Sequence, residues 1–188
     1  MKTRNKLATV VLTAVGYMAL FELNEFLFSA FAFSTGVDWI YMPSGLRLAF
    51  VLIFGAWGAL GIVLASIAID LFHYFNGDVF MALITGLISG GSPLLARKIC
   101  IDRLGLKEDL SNLTTDKLLK AAVIFAVLSA TLHQLWFTFS GQTENFLRSA
   151  AVMAFGDLVG TILVLYTLKY LANRLAGYKD ESRSSDLQ

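Results

Sequence analysis

Charged side chains are scarce in this sequence, and their scarcity excludes an ordinary soluble domain. Asp, Glu, Lys and Arg make up 15% of the 188 residues, whereas hydrophobic residues make up 56%. A typical soluble domain is about 25% charged and about 45–50% apolar. The polar stretches are too short to bury a core of their own, which leaves no room for a soluble catalytic domain. The composition predicts an all-α bundle of helices that has the lipid bilayer as its solvent.

Motifs for catalysis, metal binding and nucleic-acid recognition are also lacking. The single cysteine, Cys100, cannot form an internal disulfide, and the sequence contains no phosphate loop, nucleophile elbow or nucleic-acid module. We therefore expect no enzyme activity and no nucleic-acid partner, and the sequence identifies no cofactor. His73 and His133 have the ligand chemistry of a zinc site. Because no dense ligand motif accompanies them, we predict no metal.

Apolar runs of spanning length follow one another along the chain. The predicted helices cover approximately residues 7–33, 40–57, 58–75, 79–100, 117–139 and 146–171. They form a single membrane domain of residues 1–175, followed by a flexible cytoplasmic tail of residues 176–188. Gly86 to Gly90 and Gly156 to Gly160 have the GxxxG spacing that lets helix backbones approach closely. We interpret both as packing within the chain, with oligomerisation as the alternative.

The stretch from Ile40 to Phe75 decides the topology. Between Leu46 and Ile69 its only charge is Arg47, and these 24 residues are about as long as one spanning helix. Cytoplasmic loops carry an excess of Lys and Arg. If the stretch turns back between Gly55 and Gly58 and so crosses twice, 13 of the 15 basic residues fall on one side. The sequence therefore predicts about six transmembrane helices with both termini in the cytoplasm.

A reporter enzyme fused after Phe75 tests this topology. Three crossings precede that position if the stretch forms two helices, so we expect the reporter to lie outside the cytoplasm. A reporter that is active only in the cytoplasm would contradict the predicted turn, because a single crossing would leave Phe75 on the side of the N-terminus.

Polar residues gather in the half of the predicted helices that lies away from the basic clusters. They are Glu22, Glu25, Arg47, Asp70, His73, His133 and, near the middle of the last helix, Asp157. Ionisable groups inside a membrane are costly and usually face a cavity or a partner. We predict a pocket that opens away from the cytosol and takes a small-molecule or cation ligand. Its excess of acidic residues favours a cation, a metal or protons held by carboxylates. In the alternative structural reading, Arg47 pairs with Asp157 or Glu22 and ties helices together.

Two motifs resemble the MASE1 family, a group of bacterial integral-membrane sensory domains. Residues 41–46 (YMPSGL) are similar to the WPPSGL motif that starts a helical hairpin in that family, and residues 156–160 (GDLVG) are similar to its GDxxG. The sequence departs from the family where Tyr41 and Met42 replace Trp-Pro, and where Arg47 adds a charge to a usually apolar run.

The resemblance implies roles for three residues and a general function. Pro43 and Ser44 would shape the mouth of the pocket, and Asp157 would be a buried polar anchor. Family members normally precede a cytoplasmic kinase, cyclase or phosphodiesterase domain, so a chain of this length would signal through a separate partner.

The expected function is thus a sensory module of the bacterial inner membrane. Two alternatives remain open at this stage: a solute or cation transport component similar to six-helix substrate-binding subunits, and an assembly factor or scaffold of a membrane complex. In each case we expect a protein partner at the polar loop of residues 102–117.

Overall fold

Six α-helices make up most of the chain and confirm the predicted all-α bundle. The computed structural model describes residues 3–185. The helices are α1 (Thr3–Phe28), α2 (Pro43–Phe54), α3 (Ala56–Ile69), α4 (Val79–Leu104), α5 (Thr115–Phe139) and α6 (Phe146–Ser185). Five of them, with α3 counted through Tyr74, are long and apolar enough to cross a membrane, and α2 is the shorter apolar helix. The protein is therefore a multi-pass membrane protein, while the side on which its termini lie stays a prediction.

Short connections make consecutive helices run in opposite directions, which gives the bundle two ends. The hairpin end contains residues 29–36, 75–78 and 140–145. The loop end contains Gly55 and the loop of residues 105–114.

A small β-hairpin stands where the sequence predicted the last turn of the first helix. Helix α1 ends at Phe28 rather than Phe33, and a 3-10 turn leads into strand β1 (Ala32–Ser34). Strand β1 pairs antiparallel with β2 (Val37–Asp38), and Gly36 between them has a φ of 67°. The Ser-Thr-Gly sequence at residues 34–36 favours this turn over a longer helix.

Helix α2 begins deep inside the bundle, so the spanning helix predicted for residues 40–57 is wrong. After β2 the chain continues towards α2 along α6, and we call residues 37–42 the descending segment. A Cβ added to Gly156 would collide with the carbonyl oxygen of Asp38, and one added to Gly160 would collide with that of Tyr41. These glycines lie 10 and 14 residues into α6, which is about 15–21 Å from its start. The Gly156 and Gly160 pair therefore packs against non-helical backbone rather than against a helix.

The descending segment is tolerated at this depth because neighbouring elements bond its backbone. The backbone N–H of Tyr41 donates to the carbonyl oxygen of Gly156 at 3.3 Å, and that of Met42 donates to the side chain of Asn24 at 2.9 Å. Non-helical backbone is tolerated inside a membrane only under such conditions. Pro43 then starts α2, where its missing N–H leaves no unpaired donor.

A single residue, Gly55, reverses the chain between α2 and α3. Its φ of 59° and ψ of −134° form a conformation that residues with a Cβ rarely adopt. The predicted boundary between residues 57 and 58 lies too late, and α3 begins at Ala56. The predicted third helix also changes character before its end, because Asp70–Tyr74 form a π-helical turn.

The last helix continues beyond Leu171, where the sequence predicted its end. Residues 171–185 contain no proline, and eight of the 15 are Leu, Ala, Lys, Arg or Glu, which favour a helix. The hydrophilic composition that suggested a flexible tail at residues 176–188 does not by itself stop a helix. Helical structure reaches Ser185, and residues 186–188 lie outside the described part of the chain.

Candidate functional site

A small cavity lies in the half of the bundle nearest the hairpin end. Its volume is about 30 Å³, and residues from all six helices contribute to its lining. The polar members of that lining are Tyr17, Tyr41, Arg47, Ser66, Asp70, Tyr74, Thr85, Ser89 and His133. A site of this size holds one or two water molecules or a single ion, whereas sites for organic ligands are usually several hundred Å³.

Arg47 and Asp157 form a buried ion pair between α2 and α6. The Arg47 Nη2 lies 2.9 Å from the Asp157 Oδ1, and both residues are 1% exposed. The guanidinium also lies 5.4 Å from the ring centre of Tyr41 and 5.3 Å from that of Phe125. A buried charge without a partner costs several kcal/mol, so each member of this pair requires the other. Of the two partners that the sequence left open for Arg47, the structure selects Asp157.

Ser44 fixes the start of α2 to α6. Its hydroxyl is fully buried and lies 2.7 Å from the carbonyl oxygens of both Tyr41 and Asp157, to either of which it can donate. The Thr161 hydroxyl is 3.1 Å away. Pro43 is buried beside Ser44 at the first turn of α2. Neither Pro43 nor Ser44 lines the cavity, so they do not shape its mouth as the resemblance implied. They instead position the start of α2 against α6.

His133 is held in one orientation by two hydrogen bonds. Its Nδ1 lies 2.8 Å from the carbonyl oxygen of Ser129, and its Nε2 lies 3.1 Å from the hydroxyl of Ser89. Because a carbonyl oxygen can only accept, Nδ1 must carry a proton. Because His133 is 2% exposed, burial favours the neutral ring, whose Nε2 accepts from the hydroxyl of Ser89.

Asp70 brings a carboxylate to the cavity without a hydrogen-bond partner for its Oδ2. The hydroxyls of Ser66 and Thr85 are also buried and unpartnered within the described residues. Ser66 and Asp70 are four residues apart and face α4, where Thr85 and Ser89 have the same spacing. Gly86 lets the two helices approach, because a Cβ there would lie 2.6 Å from a side-chain carbon of Ile67. Asp70 also begins the π-helical turn, a feature that is frequent at functional sites.

Glu22, Glu25 and His73 do not belong to the cavity, contrary to the prediction. Glu22 and His73 are exposed and pair with each other at 3.2 Å, while Glu25 is only partly buried. Asn24, between the two glutamates, is the buried residue on this part of α1. The π-helical turn changes the angle per residue, so His73 no longer shares a face with Asp70 as regular helical spacing predicted.

The two histidines considered as metal ligands, His73 and His133, do not lie at a common site. His133 is buried in the cavity wall, and His73 is on the outside of the bundle. Among the side chains that the structure describes, no group of three or more His, Cys, Asp and Glu residues is placed to hold a metal ion.

Sequence reasoning missed the tyrosines and hydroxyl residues of the lining. The Tyr17 and Tyr41 hydroxyls are 3.0 Å apart and join α1 to the descending segment. Single Ser, Thr and Tyr residues are common in membrane helices and attract little notice. The four-residue spacing of Ser66 with Asp70, and of Thr85 with Ser89, was the signal that could have found the shared face.

The loop end is tied together around Arg97. Its Nε donates to the carbonyl oxygen of Leu52 at 3.4 Å, and its Nη2 donates to that of Glu108 in the loop at 3.1 Å. Within the same loop the Ser111 N–H donates to Asp109 at 3.0 Å and lowers the pKa of that carboxyl. The loop therefore has hydrogen bonds of its own, and Arg97 of α4 links it to the end of α2.

The function of this protein has to be inferred from the geometry of the site. No protein-family model, no curated protein and no solved structure matches the chain.

Proposed function

We propose that this protein is a membrane sensory module resembling MASE1, which binds a small polar ligand in the cavity and signals to a cytoplasmic partner. The observation that supports this most is the convergence of Arg47, Asp70 and His133, from three different helices, on one buried cavity. Buried polar groups without partners are costly, and inside membranes such groups are a feature of ligand and ion sites.

Arg47 would transmit a conformational change from the cavity to the loop of residues 105–114. The Arg47 guanidinium packs over Phe125, which belongs to a buried cluster with Leu52 of α2 and Leu106 of the loop. A ligand that displaces Arg47 would shift these packed side chains and with them the loop. Arg97 adds a second connection, because it bonds both the end of α2 and the loop.

The partner would dock at the loop end, on the cytoplasmic side of a bacterial inner membrane. This placement follows from the excess of Lys and Arg near that end of the helices. A cavity of about 30 Å³ supports a sensory role over transport of a vitamin-sized solute, which needs a much larger site. The buried polar lining of the cavity also supports ligand binding over the role of a scaffold, which needs only an outer surface.

Hydrogen–deuterium exchange of the full chain in lipid nanodiscs tests this coupling. We expect Asp70→Asn, made in the cavity, to change the exchange of residues 105–114 at the opposite end, because the route through Arg47 connects the two places. Glu144→Gln is the matched control, since Glu144 is an exposed carboxylate near the hairpin end. If the loop exchanged alike in all three proteins, the sensory proposal would fail.

A further inference from the structure

We propose that the cavity is a binding site for one alkali-metal cation, with Asp70, Ser66 and Thr85 as its oxygen ligands. This inference rests on the proposed function, because it names the class of ligand that the sensory module detects. Three independent features of the cavity support it: its oxygen atoms, its charge and its construction.

The first feature is a set of oxygen atoms that no other group uses. Ser66 is 2% exposed and Asp70 and Thr85 are 5% exposed, and one side-chain oxygen of each lacks a hydrogen-bond partner among the described residues. All three residues line the same cavity of about 30 Å³. Buried polar atoms are nearly always partnered in native proteins, so three unpartnered oxygen atoms that line one cavity are available as ligands. Carboxylate and hydroxyl oxygens are the ligands that hard cations prefer.

The second feature is the balance of charge. Arg47 is neutralised by Asp157 at 2.9 Å. His133 is 2% exposed, and burial disfavours the charged form of its ring. Among the lining side chains this leaves Asp70 as the carboxylate without a counter-charge. One monovalent cation compensates one carboxylate, whereas a divalent ion would leave a positive charge buried. A zinc-type ion is disfavoured as well, because the Nε2 of His133 is occupied by Ser89 and His73 lies outside the cavity.

The third feature is the construction of the wall between α3 and α4. Ser66 and Asp70 lie one turn apart on one helix, and Thr85 faces them from the next. Gly86 and Gly90 let α4 lie directly on α3, since a Cβ at either position would meet Val63 or Ile67. Ligands from two closely packed helices are held in fixed positions, and fixed positions favour a small ion over a flexible molecule.

The test is direct binding of radiolabelled Na⁺ to the full chain, purified in detergent with N-methylglucamine as the replacement cation. We expect saturable binding of one Na⁺ per chain. Asp70→Asn should abolish it, and Thr85→Val or Ser66→Ala should weaken it about tenfold each through the loss of one oxygen ligand. Thr13→Val is the matched control, because Thr13 is fully buried but bonds only to carbonyl oxygens of its own helix.

Each outcome decides one part of the proposal. Absence of saturable binding by the unaltered chain, with Rb⁺ as label and Li⁺ as competitor also negative, would overturn the cation site. Equal affinity of Thr85→Val, Ser66→Ala and Thr13→Val would show that the cation binds elsewhere. The exchange experiment on the loop separates this inference from the proposed function: a loop that responds to Asp70→Asn without any cation binding would retain the sensory role and remove the cation.

Discussion

Replacing Arg47 with methionine destabilises the folded protein by about 3–5 kcal/mol, which is the usual effect of leaving one member of a buried ion pair without its partner. Asp157 would then be a buried carboxylate with its main partner removed. Adding Asp157→Leu to Arg47→Met should restore most of the lost stability, because apolar residues of similar size often replace a buried pair without cost.

The free energy of unfolding in mixed dodecyl sulfate and maltoside micelles measures both effects. Arg148→Met is the control, because Arg148 is an exposed arginine that lies 5.1 Å from the ring centre of Phe33, and we expect a change below about 1 kcal/mol. The ion pair would have no role in stability if the effects of Arg47→Met and Asp157→Leu simply added in the double variant.

Replacing Gly160 with alanine should have a comparable effect, although it adds only one methyl group. The new Cβ would overlap the carbonyl group of Tyr41 and lie 2.7 Å from the backbone nitrogen of Met42. Since backbone atoms cannot rotate away, the descending segment must shift as a unit, and we expect a loss of about 3 kcal/mol.

Gly91→Ala is the matched control for that substitution. Gly91 is also a helical glycine, but nothing lies within 4 Å of its added Cβ, and alanine favours a helix over glycine. The same unfolding measurement should therefore show no loss of stability, or a small gain. Equal effects of Gly91→Ala and Gly160→Ala would contradict the close contact between α6 and the descending segment.

The helical class and the order of the helices could be predicted because they follow from composition. Long apolar runs and the distribution of Lys and Arg are visible without any knowledge of contacts. The descending segment could not be predicted in this way. Its position depends on Gly156 and Gly160, and the Ser44 and Thr161 hydroxyls that meet there are 117 residues apart.

The residues of the candidate site could likewise be predicted only in part. Arg47, Asp70, His133 and Asp157 were found because each is a polar residue inside an apolar run, and the structure buries all four. The prediction for Glu22 was wrong because the sequence gives the spacing of residues on a helix. It does not show which face of the helix points into the bundle. Neighbouring helices decide the direction, and for α1 they cover Asn24 instead.

Helix α2 depends on contacts with α6, a helix that is synthesised after it. Helix α6 provides a carbonyl oxygen to the backbone of Tyr41, another to the hydroxyl of Ser44 and a carboxylate to the guanidinium of Arg47, and it is synthesised after the other five helices. With 12 residues, about 18 Å, α2 is too short to settle across a bilayer alone. The α2–α3 hairpin therefore lacks these partners until α6 has been synthesised.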